Sequence, residues 1–119
     1  MKSINLNQKF SLINDLWSPK IIGELNGQEV KISKVKGEFV WHNHKDEDEM
    51  FLIIKGKLKI KFKEETVELS EGEMLIIPKG VEHLPVAEDE VWLMLIEPAN
   101  TKHTGEVKSH LTVEKYERI

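Results

Sequence analysis

The stretch from residue 37 to residue 56 reads G-E-F-V-W-H-N-H-K-D-E-D-E-M-F-L-I-I-K-G and suggests both the fold and a metal site. His42 and His44 are two residues apart, and Glu49 follows five residues later. Side chains two apart on a β-strand point to the same face, so the two imidazoles of this strand are aimed at one point. A carboxylate on the next strand can reach the same point.

A fourth candidate ligand lies downstream, in the stretch G-E-M-L-I-I-P-K-G-V-E-H of residues 72–83, which ends at His83. Three imidazoles and one carboxylate suit a divalent transition metal, and this donor set does not separate Fe(II), Mn(II), Ni(II) and Zn(II). We therefore predict one divalent transition metal, of unassigned identity, held by His42, His44, Glu49 and His83.

The stretch K-G-K-L-K-I-K-F-K of residues 55–63 alternates lysine with apolar residues, which predicts a half-buried strand. A two-residue turn at residues 55 and 56 would pair Glu49 with Phe62, Phe51 with Ile60, and Ile53 with Leu58. In this pairing register, Glu49 shares a face with apolar side chains and would therefore point into the interior. A buried carboxylate without a partner costs several kcal/mol, and a bound metal would remove that cost.

Short apolar strands recur along the chain with turn signals between them. Asn26-Gly27 separates two apolar runs, 21–25 and 28–36, and is a strong hairpin signal. Further strands are predicted at 38–44, 49–55, 57–63, 66–69, 74–77, 81–86 and 90–96, with a turn at 87–89. This pattern predicts an all-β fold, a small antiparallel jelly-roll barrel over residues 20–98 of a single domain spanning 1–119.

Both ends of the chain differ from the barrel region. Apolar residues spaced three and four apart predict a short helix over residues 5–18, capped by Asn5 or Asn7 and ended by Ser18-Pro19. This helix packs across the outside of the fold or swaps onto a second subunit. The polar tail, 99–119, wraps the barrel or is loosely ordered.

Three further residues allow alternative interpretations. Lys34 interrupts the apolar face of its strand, which favours a bulge over an inward cationic substrate contact, because buried lysines are rare. His103 and His110 lack spaced partners and are predicted to be surface residues. The alternative for His103 is a position over the mouth of the barrel.

The composition excludes several functional classes. The chain of 119 residues has 17 Lys+Arg against 21 Asp+Glu, and a net charge of −4 argues against a nucleic-acid-binding surface. No cysteine is present, so thiolate and disulfide chemistry are excluded. The sequence contains neither a signal-peptide pattern nor an apolar run of about 20 residues, which predicts a cytoplasmic protein that does not bind membranes.

The two histidine motifs resemble those of the cupin superfamily, G-x5-H-x-H-x3,4-E-x6-G and G-x5-P-x-G-x2-H-x3-N. Here Gly37 stands one residue closer to His42 than usual, and Ala87 replaces the closing asparagine. The resemblance implies a double-stranded β-helix barrel and a metal held by the four residues named above. It also implies frequent dimers, and the whole chain looks like small single-domain cupins of the mannose-6-phosphate isomerase-like type.

A metal at the base of an apolar pocket is the functional expectation. The pocket is predicted to be lined by Phe51, Ile53, Leu58, Ile60, Phe62 and Met94. The interpretation favours a metal-dependent enzyme on a small oxygenated molecule, a dioxygenase or an isomerase. The alternatives are a non-catalytic module that binds a small ligand, such as a sugar or organic acid, and a purely structural metal site.

Outward apolar residues Trp41, Leu52 and Ile54 predict a homodimer.

Overall fold

A computed structural model describes residues 1–99 and 101–119. Within these residues the chain forms one short helix and eight strands, and the fold is almost entirely β-structure. The helix is α1 (Leu6–Phe10), and the strands are β1 (Lys20–Leu25), β2 (Gln28–Glu38), β3 (Glu49–Lys55), β4 (Leu58–Lys61), β5 (Thr66–Leu69), β6 (Met74–Ile77), β7 (Leu84–Pro98) and β8 (Glu117–Arg118).

The two longest strands, β2 and β7, join two layers of antiparallel structure. β7 pairs with β4 through residues 84–86 and with β3 through residues 92–96, while β2 runs beside β7 in both layers. β6 extends one layer beyond β3, and β5 extends the other layer beyond β4. The inward side chains of both layers enclose one apolar core. The prediction of an all-β antiparallel jelly-roll fold is confirmed.

The hairpin predicted at Asn26-Gly27 is confirmed. β1 and β2 pair in antiparallel register up to Leu25 opposite Gln28, leaving two residues in the turn. Both turn residues have positive φ, 50° at Asn26 and 79° at Gly27, as a tight turn matching the twist of the strands requires.

The hairpin predicted between β3 and β4 does not form. β3 pairs instead with β6 and β7, and β4 pairs with β5 and β7. The inward direction of these strands is nevertheless as predicted, because Ile53, Leu58 and Ile60 are each 0% exposed. Alternation along one strand fixes which face is buried, but it does not fix which strand lies next to it.

The N-terminal helix is shorter than predicted, and it ends at Phe10 rather than near residue 18. Asn5 caps it as expected, accepting a hydrogen bond from the backbone N–H of Gln8. Further along, Trp17 takes a positive φ of 57° and stacks on Phe39 in the main core. Ile13 packs with Phe10 on the outer face of the sheet, so the predicted helix face is divided between two apolar clusters.

Two strand boundaries also differ from the prediction. Residues 39–44 form no continuous strand and contain a single β-bridge, between His42 and His83. The turn predicted at residues 87–89 is instead part of the uninterrupted strand β7. A long strand can bend from one layer into the other, so polar residues inside it resemble a turn when only the sequence is known.

The C-terminal segment, described here from residue 101 to residue 119, packs along the barrel rather than being loosely ordered. Lys31 donates a hydrogen bond to the carbonyl of Thr101, and β8 pairs with β1. Gly105 approaches the loop between the two histidines so closely that a Cβ added there would lie 2.1 Å from the backbone oxygen of Asn43. Among the described residues, none of the helical structure is long and apolar enough to cross a bilayer.

We predict that Gly105→Ala destabilises the fold more than Gly72→Ala. Both glycines have positive φ, so each alanine should cost about 1–2 kcal/mol for the left-handed backbone. Gly72 has no described atom within 4 Å of an added Cβ, whereas the clash at Gly105 should add about 1–3 kcal/mol. Chemical denaturation of the two variants measures the difference. Equal losses would contradict the close packing of the C-terminal segment.

Candidate metal site

The structure brings the four predicted metal-binding residues together. Their candidate ligand atoms all lie within 4.8 Å of one another. Their side chains come from separate parts of the chain: His42 and His44 from the segment after β2, Glu49 from the start of β3, and His83 from the segment before β7. All four are buried, with exposed fractions between 0% and 4%.

Backbone pairing sets two of these residues directly opposite each other. The N–H of His42 donates to the carbonyl of His83 at 3.1 Å, and the N–H of His83 donates back at 2.9 Å. The neighbouring loops are also fixed, because the N–H of Gly80 donates to the carbonyl of His44 at 2.8 Å. The imidazoles are therefore positioned by main-chain hydrogen bonds rather than by their own packing alone.

Hydrogen bonds also define the tautomer of two histidines. Nδ1 of His42 lies 2.8 Å from the carbonyl of Val40, and Nδ1 of His83 lies 2.8 Å from the carbonyl of Val81. A carbonyl can only accept, so in each ring Nδ1 carries the proton and donates. Nε2 of each ring is left with its lone pair, which is the arrangement found in metal-binding histidines.

Several atoms of the cluster lack the hydrogen-bond partners that buried polar atoms normally have. Within the described residues, Nε2 of His44, Oε1 of Glu49 and Nε2 of His83 are buried without a hydrogen bond. The Glu49 oxygens lie 3.2 Å from Nε2 of His44 and 3.3 Å from Nε2 of His83. Unpartnered buried polar atoms are costly, and a shared cation would satisfy all of them, so the residues fit a divalent metal.

The electrostatics of the metal-free cluster agree with this interpretation. Burial, with a contribution from His83, lowers the pKa of His42 to about 4. For His44 the burial penalty is outweighed by the nearby Glu49 carboxylate, which raises its pKa. Burial alone would raise the pKa of Glu49, but its contacts with His44 and His83 lower it. The neutral His42 and the ionised Glu49 are in the protonation states that metal binding requires, whereas a metal would displace the proton that the raised pKa of His44 favours.

Three buried charged residues that the sequence did not reveal lie beside this cluster. Glu29, Lys31 and Glu97 are 7%, 0% and 0% exposed. Lys34, the one residue that the sequence put forward as an inward charge, is not among them. Lys34 lies on the outer face, where its Nζ donates to the carbonyl of Ile13, and the β2–β7 register shifts between Val35 and Gly37. The alternation E-V-K-I-S-K-V of residues 29–35 could have placed Lys31 inside.

A small cavity of about 30 Å³ adjoins Glu49, with room for roughly one or two water molecules. Its lining is mostly apolar and includes Trp17, Phe39, Phe51, Leu93, Leu95 and His103.

Of the residues predicted to line a pocket, Phe51 lies there. Ile53, Leu58 and Ile60 fill the core, while Phe62 is half-buried and borders an outer groove. Met94 was wrongly placed, because it packs on the outer face beside α1.

His103 is not a surface residue, and that prediction is wrong. It is 5% exposed, and its Nε2 donates to the carbonyls of Leu111 at 2.9 Å and Trp17 at 3.1 Å. Its Nδ1 lies 3.3 Å from the hydroxyl of Tyr116. Burial lowers the pKa of His103. Both ring nitrogens are thus used in holding the C-terminal segment to the barrel, whereas His110 is exposed as predicted.

We predict that the metal-free protein loses stability between about pH 6.5 and pH 4. His42 binds a proton at its ordinary pKa when unfolded but only near pH 4 when folded, so acid favours the unfolded chain. The contribution of His42 to this loss should be about 3 kcal/mol, at about 1.4 kcal/mol per pH unit, and the raised pKa of His44 offsets part of it. Denaturant unfolding in chelator measures it, with His42→Gln expected to flatten the profile and His110→Gln to leave it unchanged. An unaltered profile in His42→Gln would contradict the assignment.

Comparison with known proteins agrees with this geometry. Residues 28–97 match the family model described as "Cupin domain". A cupin-2 domain containing protein from Shewanella frigidimarina NCIMB 400 is 53% identical, with a TM-score of 0.79 over 80% of this chain and 93% of that one. A protein from Neisseria meningitidis is 32% identical, with a TM-score of 0.76 over 82% of this chain and 100% of that one.

A curated relative is similar over a shorter stretch. The uncharacterized protein YdbB of Bacillus subtilis (strain 168) is 43% identical over 63 residues, which are 52% of this chain and 56% of that protein. The aligned part thus spans little more than half the length of this relative. The mannose-6-phosphate isomerase-like subtype is not distinguished by these matches and stays a prediction. Since the family model covers more than half of the sequence, this chain belongs to the cupin domain family.

Proposed function

We propose that this protein binds one divalent transition metal through His42, His44, Glu49 and His83. The observation that carries the proposal is the set of buried ligand atoms within 4.8 Å of one another, three of which have no hydrogen bond within the described residues. Fe(II), Mn(II), Ni(II) and Zn(II) all suit three imidazoles and one carboxylate. When bound, such a metal would act as a Lewis acid or redox centre toward a small ligand.

The surroundings of the cluster leave two kinds of metal-dependent chemistry as candidates. Among the described residues, His103 is the one histidine near the cavity outside the ligand set, and both of its ring nitrogens are hydrogen-bonded. The buried Glu97, however, has an Oε2 without a hydrogen bond among the described residues. An isomerase that moves a proton between carbon atoms needs a general base, and Glu97 is a candidate for that role. We therefore propose either a metal-dependent dioxygenase or a sugar or keto-acid isomerase.

The alternative function is a non-catalytic module that binds a small ligand. The cavity of about 30 Å³ holds neither a sugar nor an organic acid unless its lining side chains move, so its size favours neither function over the other. The apolar lining argues against a phosphorylated ligand, because a phosphate needs positively charged or N–H donors around it.

We predict that purified protein binds close to one equivalent of divalent metal, and that His44→Ala lowers the affinity at least about 10-fold, because it removes a ligand. His44 is the member of the set without a backbone hydrogen bond to its ring, so its loss should disturb the fold least. Metal titration with a competing chelator measures the affinity. His110→Ala, which changes an exposed histidine, is the matched control.

Normal metal affinity in His44→Ala, or equal losses in both variants, would refute the proposed site. The Fe(II)-loaded protein then separates the two functions. Consumption of dioxygen above the rate of free Fe(II), when small oxygenated compounds are supplied, favours the enzyme. Saturable binding of such a compound without turnover favours the binding module.

We also propose that the protein is a homodimer. The outer face of the layer formed by β6, β3 and β7 carries apolar side chains that lie opposite each other, Met74 beside Leu52 and Ile76 beside Met50. Met74 and Ile76 are 49% and 56% exposed, which is unusual for a pair of large apolar residues on adjacent positions of one face. A second copy of the chain would cover the same patch by two-fold symmetry. Of the residues that predicted a dimer, Leu52 lies in this patch, whereas Ile54 packs beside α1.

We predict a dimer mass by light scattering at micromolar concentration, and a monomer for Ile76→Glu, because a carboxylate in the patch would be buried without a partner. Leu25→Glu is the control, since Leu25 is 60% exposed but lies at the tip of the β1–β2 hairpin, away from the patch. A wild-type monomer, or a dimer that persists in Ile76→Glu, would disprove this interface.

A further inference from the structure

A row of three buried carboxyl groups crosses the interior next to the metal cluster. Glu29 on β2 lies directly opposite Glu97 on β7. On the other side of β7, the β3 register has Met50 opposite Ile96, and its continuation puts Glu49 opposite Glu97. Glu97 is thus the immediate cross-strand neighbour of a predicted metal ligand.

A single buried ammonium holds the row together. Nζ of Lys31 donates to Oε1 of Glu97 at 3.0 Å and to the carbonyl of Thr101 at 3.2 Å, and it lies 3.6 Å from Oε1 of Glu29. The same ammonium lies 4.2 Å from the centre of the Tyr116 ring. Lys31 thus makes two hydrogen bonds and one longer ion-pair contact, none of them to Glu49, and one of the hydrogen bonds fixes Glu97.

The other oxygen of Glu97 is left facing the cluster. Its Oε2 is buried without a hydrogen bond among the described residues, and so is Oε1 of Glu49. Residues directly opposite each other on antiparallel strands have Cβ atoms about 4.5–5.5 Å apart, so the register makes the side chains of Glu49 and Glu97 neighbours. Glu97 is not among the four residues whose ligand atoms lie within 4.8 Å of one another, so it lies outside the candidate coordination set and next to one of its members.

We propose that Glu97, held in place by Lys31, is a positioning residue of the metal site that fixes the orientation of the Glu49 carboxylate toward the three imidazoles. This inference rests on the proposed metal binding. The proposal gives the buried Lys31–Glu97 pair a role other than stabilising the fold. Apolar residues of similar size often replace such a pair without loss of stability, so packing alone does not require it. Outer partners of metal ligands typically contribute about 10- to 100-fold to affinity.

The test compares metal affinity in three variants. Lys31→Met with Glu97→Leu removes the pair together, which avoids leaving one buried charge alone, and should weaken Co(II) binding about 10- to 100-fold. Glu97→Gln keeps the shape and a hydrogen-bonding group beside Glu49, so it should lose clearly less. Glu29→Gln is the matched control, because Glu29 is buried in the same row but lies on the far side of Glu97 from Glu49. Its affinity should stay within about threefold of wild type.

The visible absorption spectrum of the Co(II)-loaded protein supplies a readout that a purely structural role would not change. A displaced Glu49 alters the ligand geometry, so the bands should shift in the double variant and remain as in wild type for Glu29→Gln. Unfolding by denaturant separately establishes that each variant is folded. If the double variant does not fold, Glu97→Gln is compared with Glu29→Gln. A loss of affinity in Glu97→Gln beyond the threefold limit of the control supports the role of Glu97, and an affinity within that limit overturns it.

Wild-type affinity and spectrum in a folded double variant would overturn the role of Glu97, while leaving the metal site itself intact. Equal losses in Glu97→Gln and Glu29→Gln would also overturn it, because the effect would then belong to the whole charged row. A wild-type protein that binds no divalent metal would instead refute the proposed function, and the inference with it.

Discussion

The structure depends on one constraint, the burial of four polar side chains at a single point in the interior of the barrel. His42, His44, Glu49 and His83 are at most 4% exposed. Burying such groups without partners costs several kcal/mol, so their placement has to be enforced by the rest of the fold. The enforcing elements are the reciprocal backbone hydrogen bonds between His42 and His83 and the strand β3, whose first residue is Glu49.

The buried charged residues next to the four candidate ligands form a second group of interacting side chains. The ionised Glu49 is the nearest charge to the imidazoles, and the Lys31–Glu97 pair lies next to it along the same row of inward side chains. Burial raises the pKa of Glu97, as does the charge of Glu49, while Lys31 opposes the rise. A divalent cation in the cluster would reduce the repulsion between the two carboxyl groups.

The C-terminal segment closes the same region from outside. Thr101 is tied to Lys31, and His103 is tied to Trp17, Leu111 and Tyr116. Gly105 lies against Asn43, the residue between two of the candidate ligands.

The sequence by itself determined the alternation of the strands, the Asn26-Gly27 hairpin, and the four residues of the candidate site. These features are local, because period-two alternation, turn chemistry and the spacing of His42, His44 and Glu49 are readable within a few residues. It also indicated His83, through a second motif that matches the cupin pattern. The all-β barrel followed from the repeated short strands, and it is the fold observed.

Only the tertiary structure decided which strands are neighbours and which polar groups lie inside. β3 pairs with β6 and β7 rather than with β4, because pairing depends on contacts between distant parts of the chain that alternation does not encode. The same reason explains the burial of Lys31 and Glu97, which pair across 66 residues, and of His103, whose ring donates to the carbonyl of Trp17 across 86 residues. Met94 faces outward because β7 is one continuous strand whose inward residues are Leu93 and Leu95.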